Sequence, residues 1–216
     1  MEAIGEDPSN LSAVIVTHEH TDHVKGAGIL SRRFDIPLHI TPATHAACKS
    51  LGRVDHLEYF HCGTAFDIGD ITINPFSISH DAEDPAGLTL ESGGHKIGFA
   101  TDLGIVTNLV RSHLANASVL YLESNHDMDM LMNGPYPWYL KQRIKSRRGH
   151  LSNVEARELV TDLMHPGLEH VILAHLSEEN NHPTAAAAEM GQCLEDSKVG
   201  LSVAGPAAPG KMIELA

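Results

Sequence analysis

The sequence predicts a layered α/β domain with sheet packed between helices, and three features of its patterning carry that expectation. Two strand-and-helix units open the chain, a series of short alternating runs fills the middle, and strands and helices alternate again to the end. Residues 13–16 are a short β-branched run, followed after a loop by helical apolar spacing over 24–34 with the small residues Gly26, Ala27 and Gly28. Residues 37–40 read as a second strand and 42–51 as a helix opened by Pro42.

The middle changes character. Apolar or alternating runs at 58–61, 64–68, 71–79, 88–91 and 96–100 are separated by the turn signals Ile68-Gly69-Asp70 and Ser92-Gly93-Gly94, a series that predicts antiparallel hairpins. Helix follows at 106–115, strand at 119–122, helices at 137–147 and 153–165, strand at 170–174 and helix at 184–195. Residues 198–203 and 211–215 are expected to close the sheet on either side of a loop at 205–210. No internal repeat or linker interrupts the pattern, so residues 1–216 are expected to form one domain.

Composition narrows the function classes. A chain of 216 residues with 42% hydrophobic content has room for one sizeable core. No apolar run approaches bilayer length and the start lacks a signal-peptide pattern, which leads to the expectation of a cytoplasmic protein without a membrane partner. Cys48, Cys62 and Cys193 are odd in number and widely spaced, so they suggest reduced thiols packed as small apolar residues. A formal net charge of −13 argues against a surface coated with basic groups for nucleic acid, while leaving room for a local basic strip. The sixteen histidines are the informative excess, and several stand where an apolar run stops.

The densest group is Thr17-His18-Glu19-His20-Thr21-Asp22-His23. His18 and His20 alternate and can turn their rings to one side of an extended loop, with Asp22 and His23 facing a second position. Neutral imidazoles and a carboxylate suit zinc or a similar divalent ion, and a fixed loop holds all four at little further ordering cost. Further ligand types end other predicted strands: His80 after 71–79, Asp102 after 96–101, His175 after 170–174. Rigid strand ends on one edge of a sheet are suitable supports for a converging site.

With those residues in hand, the chain resembles the metallo-β-lactamase superfamily, whose His-x-His-x-Asp-His motif is followed by a His, an Asp and a final His in this order. The resemblance covers nearly the whole chain. It implies an αββα sandwich with the site along one edge, His18, His20 and His80 on one metal, Asp22, His23 and His175 on the other, and Asp102 bridging. Two divalent ions about 4 Å apart hold a shared water as a metal-bridged hydroxide, so hydrolysis is the expected reaction. Asp22 is also a candidate acceptor for the nucleophilic water. The resemblance leaves Zn(2+) and Mn(2+) equally open. Family members carry several tens of residues before this motif, so the position of His18 leads to the expectation of an N-terminally shortened chain. Its first sheet would lack strands and expose an edge suited to self-association.

The second half points to phosphodiesters. Ser152 and Glu155 form a predicted capping box, which puts His150 just before a helix N-terminus that favours an anion. Lys141, Arg143, Lys145, Arg147 and Arg148 concentrate five of the fifteen basic residues just after Trp138 and Tyr139, an arrangement able to follow a nucleic-acid backbone or simply to form a solvated helix face. Tyr136, Trp138 and Tyr139 have the alternative reading of anchors to the core. Residues 17–23, 79–82, 100–102, 123–127 with Met130-Leu131, 149–153 and 175–181 together resemble the YycJ/WalJ-like branch of the superfamily, a group of exonuclease-like phosphodiesterases. That resemblance implies DNA as substrate, with His150 supporting the phosphate or leaving group and Ser152, His126 and Asn181 as further substrate-side candidates. Two other readings stay open: a glyoxalase-like ester or thioester hydrolase on the same metal pair, and a shortened non-catalytic metal-binding module. Asp102 at the bridging position, where lactamases carry cysteine, disfavours the lactamase group.

Overall fold

The computed structural model describes residues 1–215. After two short 3-10 turns, Glu2–Ile4 and Pro8–Asn10, the chain forms strand β1 (Val14–Ile15), helices α1 (Thr21–Val24) and α2 (Ala27–Phe34), and strand β2 (Leu38–Ile40). Helix α3 (Pro42–Ala47) crosses to strand β3 (Leu57–Tyr59), and β1, β2 and β3 pair in that order, all parallel. Pro42 brings the fixed φ of a first helical turn, and Thr41 caps it by accepting from the Thr44 amide.

The second sheet has seven strands. Strands β4 (Phe66–Ile68), β5 (Ile71–Ser77), β6 (Ala86–Ser92) and β7 (His95–Ala100) are consecutive antiparallel neighbours. Gly93 and Gly94, at φ of 59° and 85°, make the β6–β7 turn in a conformation that L side chains resist. Beyond β7 the pairing turns parallel: α4 (Asn108–Leu114) leads to β8 (Val119–Glu123), and α5 (Met128–Asn133), α6 (Trp138–Ile144) and α7 (Asn153–Leu163) precede β9 (His170–Ala174). Helix α8 (Pro183–Leu194) then returns the chain to β10 (Gly200–Val203), parallel to β9 at the sheet edge.

Each sheet packs its own helices. Leu120, Leu122, Val171 and Leu173 are buried against Leu114, Leu159, Val160 and Met190 from α4, α7 and α8. A smaller cluster of Val16, Val24, Ala27, Leu38, Ile40 and Leu51 joins the first sheet to α1 and α2. Between the sheets, the Ala86 amide donates to the Thr17 carbonyl at 3.0 Å and His39 stacks on Phe66 at 5.1 Å. The result is the expected αββα sandwich. It matters for function because the loops after β1, β5, β7, β8 and β9 all open on one edge.

Several sequence expectations are corrected. Strand β3, expected at 58–61 within the hairpin series, lies instead beside β2, because α3 provides the crossover that a parallel pair needs. The helix expected over 24–34 is interrupted at Gly26, the α2 N-cap, leaving α1 as a separate turn. Residues 211–215 form no strand, and Met212 is 78% exposed, so the apolar residues there are not drawn into either sheet. The helix expected over 137–147 stops at Ile144, and α5 was not anticipated. Cys48, Cys62 and Cys193 are free, and burial pushes each thiol up, which keeps it protonated. No helix among the described residues is long and apolar enough to cross a membrane.

Candidate metal centre and active-site cleft

Apolar anchors fix the ligand-bearing loops. Val16 and Val24 are buried on either side of the first loop, so His18 is carried inward while His20 and α1, with Asp22 and His23, face the open edge. His80 follows β5, Asp102 follows β7 and His175 follows β9. Asp102 and His175 adopt left-handed backbone at φ of 59° and 55°. That conformation costs a non-glycine residue roughly 1–2 kcal/mol, and here it turns two side chains out of their strand directions into the same space.

The seven residues meet. His80 Nε2 is 3.2 Å from His20 Nδ1, and Asp102 Oδ1 lies 3.5 Å from His80 Nε2, 3.4 Å from His175 Nε2 and 4.0 Å from His18 Nε2. His23 Nε2 is 3.3 Å from both Asp102 Oδ2 and Asp22 Oδ2. His18, His20 and His80 form one group with ligand atoms within 4.8 Å of one another, and Asp22, His23 and His175 form another. His18 Nε2 and Asp102 Oδ2 are buried without any hydrogen-bond partner. Buried lone pairs converging without a donor are unfavourable unless a cation sits among them.

Proton equilibria point the same way. Burial, reinforced by His23, His80 and His20, lowers His18 to about 2, so its imidazole is neutral. Burial also opposes charge on His175, but Asp22, Glu123 and Asp102 outweigh it and push the ring up to about 10. The carboxylates around His175 thus favour positive charge at that point, which a divalent ion supplies in exchange for the proton. The donor set fits a metal centre.

Glu123, at the end of β8, opens the 123–127 stretch that carries the resemblance, but sequence reasoning gave it no role in the site. Fully buried, it accepts from the amides of Leu103 (2.8 Å) and Leu151 (3.1 Å) and from Nδ1 of His150 (2.7 Å) and His175 (2.8 Å). A carboxylate only accepts, so both rings carry their proton on Nδ1 and keep Nε2 for the site. The Gly149 carbonyl, 3.2 Å from His80 Nδ1, orients that ring likewise. The strand-end position that singled out His80, Asp102 and His175 was the available signal for Glu123.

Gly149 is irreplaceable by geometry: a Cβ there would stand 2.0 Å from the Ile144 carbonyl oxygen and 2.4 Å from that of Arg143. Gly149→Ala is expected to destabilise the protein by about 3 kcal/mol, the upper end for overpacking, and to lower activity by displacing His80 and His150. Urea unfolding measures the first effect; an unchanged midpoint would contradict the close approach.

The substrate-side candidates separate. A cleft of about 440 Å³ is lined by His20, Asp22, Asp102, His150 and His175 on one wall and Tyr136, Leu140, Arg143 and Ile144 on another. Ser152 is buried, and its hydroxyl and amide are both held by Glu155 in the capping box. The amides of Leu151, Ser152, Asn153 and Glu155 all have acceptors within the protein, so the start of α7 offers a phosphate few free donors. His126 is buried with neither ring nitrogen bonded, and burial lowers it to about 4. Asn181 borders an adjoining hollow beyond His175, but its amide is tied to Ser124 and Asn153. Of the four, His150 alone lines the main cleft.

A family model described as "Beta-lactamase superfamily domain" matches residues 1–176. Exodeoxyribonuclease YycJ of Bacillus anthracis is 36% identical over 199 residues, which cover 91% of this chain and 75% of the relative. Exodeoxyribonuclease WalJ of Streptococcus pneumoniae is 35% identical over 205 residues, 93% of this chain and 76% of the relative. Among solved structures, the metallo-beta-lactamase fold protein YhfI from Bacillus subtilis superimposes with a TM-score of 0.70 at 19% identity, over 91% of this chain and 76% of that one.

Proposed function

Since this chain belongs to the beta-lactamase superfamily and is a metal-dependent hydrolase of that fold, we propose that it is a binuclear DNA exonuclease. In this reading His18, His20 and His80 hold one ion, Asp22, His23 and His175 the other, and Asp102 both, with zinc or manganese suiting the donor set. When bound, the ions supply a water of lowered pKa and positive charge against the phosphoryl oxygens.

The observation that carries the phosphodiester reading is His150 in the cleft wall, its Nδ1 held 2.7 Å from buried Glu123 and its Nε2 left for substrate. Burial works against a proton on His150, yet Glu123 and Asp102 outweigh it and raise the ring above its ordinary value. A proton on its Nε2 would be placed to reach a phosphate oxygen and then the departing sugar oxygen. Asp22, whose side chain is 67% exposed at the cleft, accepts a hydrogen bond from the attacking water. The exodeoxyribonuclease names of two relatives at 35% and 36% identity support the choice of DNA.

The test is release of nucleotides from end-labelled DNA with zinc or manganese, run beside elemental analysis. His150→Ala is expected to lower kcat by about 10²- to 10³-fold while two metals per chain remain bound. Wild-type protein that releases no nucleotide would overturn the exonuclease reading, and full turnover in His150→Ala would remove the acid.

A further inference from the structure

Much of the basic run at 141–148 is engaged by the protein itself. Lys141 is buried, and its Nζ donates to the carbonyls of Met132 and Gly134 at 2.8 Å each. Arg148 Nε donates to the His80 carbonyl at 3.1 Å, the Ser79 hydroxyl donates to the Arg147 carbonyl at 2.7 Å, and the Gly149 carbonyl faces His80 Nδ1. Arg143 reaches Asp81, its Nε and Nη2 both meeting Oδ2, at 2.6 and 2.5 Å. Residues 143–149 thus hold residues 79–81, the loop that carries His80, at four points.

His80 and His20 turn ring nitrogens into the same space, with His80 Nε2 standing 3.2 Å from His20 Nδ1. The Gly149 carbonyl only accepts, so His80 carries its proton on Nδ1 and offers the Nε2 lone pair. With His20 Nδ1 turned toward an ion in the same way, the His20 proton is on Nε2. That nitrogen faces Asp81 Oδ1 at 3.9 Å, longer than a hydrogen bond but within reach of the carboxylate charge. The other two imidazoles of this group have their own outward partners, Thr17 Oγ1 at 3.2 Å from His18 Nδ1 and the Gly149 carbonyl for His80. A ligand imidazole ordinarily directs its outer N–H at a carboxylate or carbonyl, which fixes the ring and raises its basicity. Asp81 stands in that place for His20.

Resting on the two-ion reading but not on DNA as substrate, we propose that Asp81 is a positioning residue of the metal centre, and that Arg143 places it. Asp81 orients His20 toward the ion held by His18, His20 and His80. With Oδ2 taken by the guanidinium, Oδ1 is the oxygen left for His20. The Arg143 side chain is 60% exposed, so the pair adds little to stability and acts on where the carboxylate stands. Because Arg143 belongs to α6, the same contact fastens the cleft wall to the metal-ligand loop.

Zinc affinity is read by titrating metal-free protein in competition with a chromophoric chelator, which resolves the two ions without any turnover. Asp81→Asn is expected to weaken one ion about tenfold and to leave the other within about twofold of wild type. The urea midpoint of the metal-free variant should stay near that of metal-free wild type, because a merely structural loss would lower it and weaken both ions together. In the Arg143→Gln background the same substitution should cost about threefold or less, since a carboxylate that is no longer placed has less to lose. Wild-type affinity for both ions in Asp81→Asn, or a loss shared equally by both, would overturn the role of Asp81. An undiminished loss in the Arg143→Gln background would overturn the role of Arg143. If the wild type binds two ions and Asp81→Asn matches it, the positioning role alone fails; if the wild type binds fewer than two, the two-ion reading fails with it.

Discussion

Asp102→Ala is expected to leave a folded protein that binds fewer than two metals per chain and hydrolyses DNA on the order of 10³-fold more slowly, the equivalent of several kcal/mol of lost charge stabilisation. Asp102 is the carboxylate that meets both histidine groups, through Oδ1 toward His18, His80 and His175 and through Oδ2 toward His23. Without it the cluster keeps its imidazoles but loses the negative charge between the two proposed ion positions. Alanine at φ of 59° also carries backbone strain, which would confuse a loss of ligand with a loss of fold. Asp102→Asn separates the two, because asparagine tolerates left-handed backbone and preserves shape while removing the charge. Both variants should lose metal by elemental analysis, and Asp102→Asn should melt near the metal-free wild type. Full hydrolysis by Asp102→Ala would sink the two-ion mechanism.

Most of this centre is legible in the chain because each part sits where a sequence pattern changes. Four candidate ligands fall within six consecutive positions from His18 to His23, and His80, Asp102 and His175 each follow an apolar run. The two-sheet layering also follows from pattern, since the hairpin series differs visibly from the strand-and-helix units around it. Pairing partners are another matter. Strand β3 carries the same alternation as the hairpin strands, and only the length and helical character of the connection before it separate a parallel neighbour from an antiparallel one. Ser152 shows the opposite limit: its capping signature was correctly placed, but a hydroxyl and amide held by Glu155 cannot also serve a substrate. Glu123 was hidden because its four donors come from three separate segments, 103, 150–151 and 175, whose approach is a property of the fold and not of local spacing. Asp81 and Arg143, 62 residues apart, were hidden for the same reason.

Glu123→Ala is expected to cost on the order of 4 kcal/mol of stability and to abolish activity, because it strips the acceptor from two buried amides and two imidazoles at once. Glu123→Gln should be milder in stability, keeping one oxygen acceptor of similar shape, yet still lose activity as His150 and His175 lose the charge that holds their Nδ1 protons. The acid side of the stability profile gives an independent reading. Burial raises the Glu123 carboxyl, but hydrogen bonds from His150 and His175 outweigh it and lower the group from 4.5 to about 2. A carboxylate whose folded pKa is depressed stabilises the fold fully above its unfolded value, and that contribution fades as pH falls from about 4.5 toward 2. In urea unfolding of chelator-treated protein, the stability gap between wild type and Glu123→Gln should therefore narrow as pH falls below about 4.5. A gap that stays constant down to pH 3 would show that Glu123 holds its partners as a neutral acceptor and that charge on it does not order the two histidines.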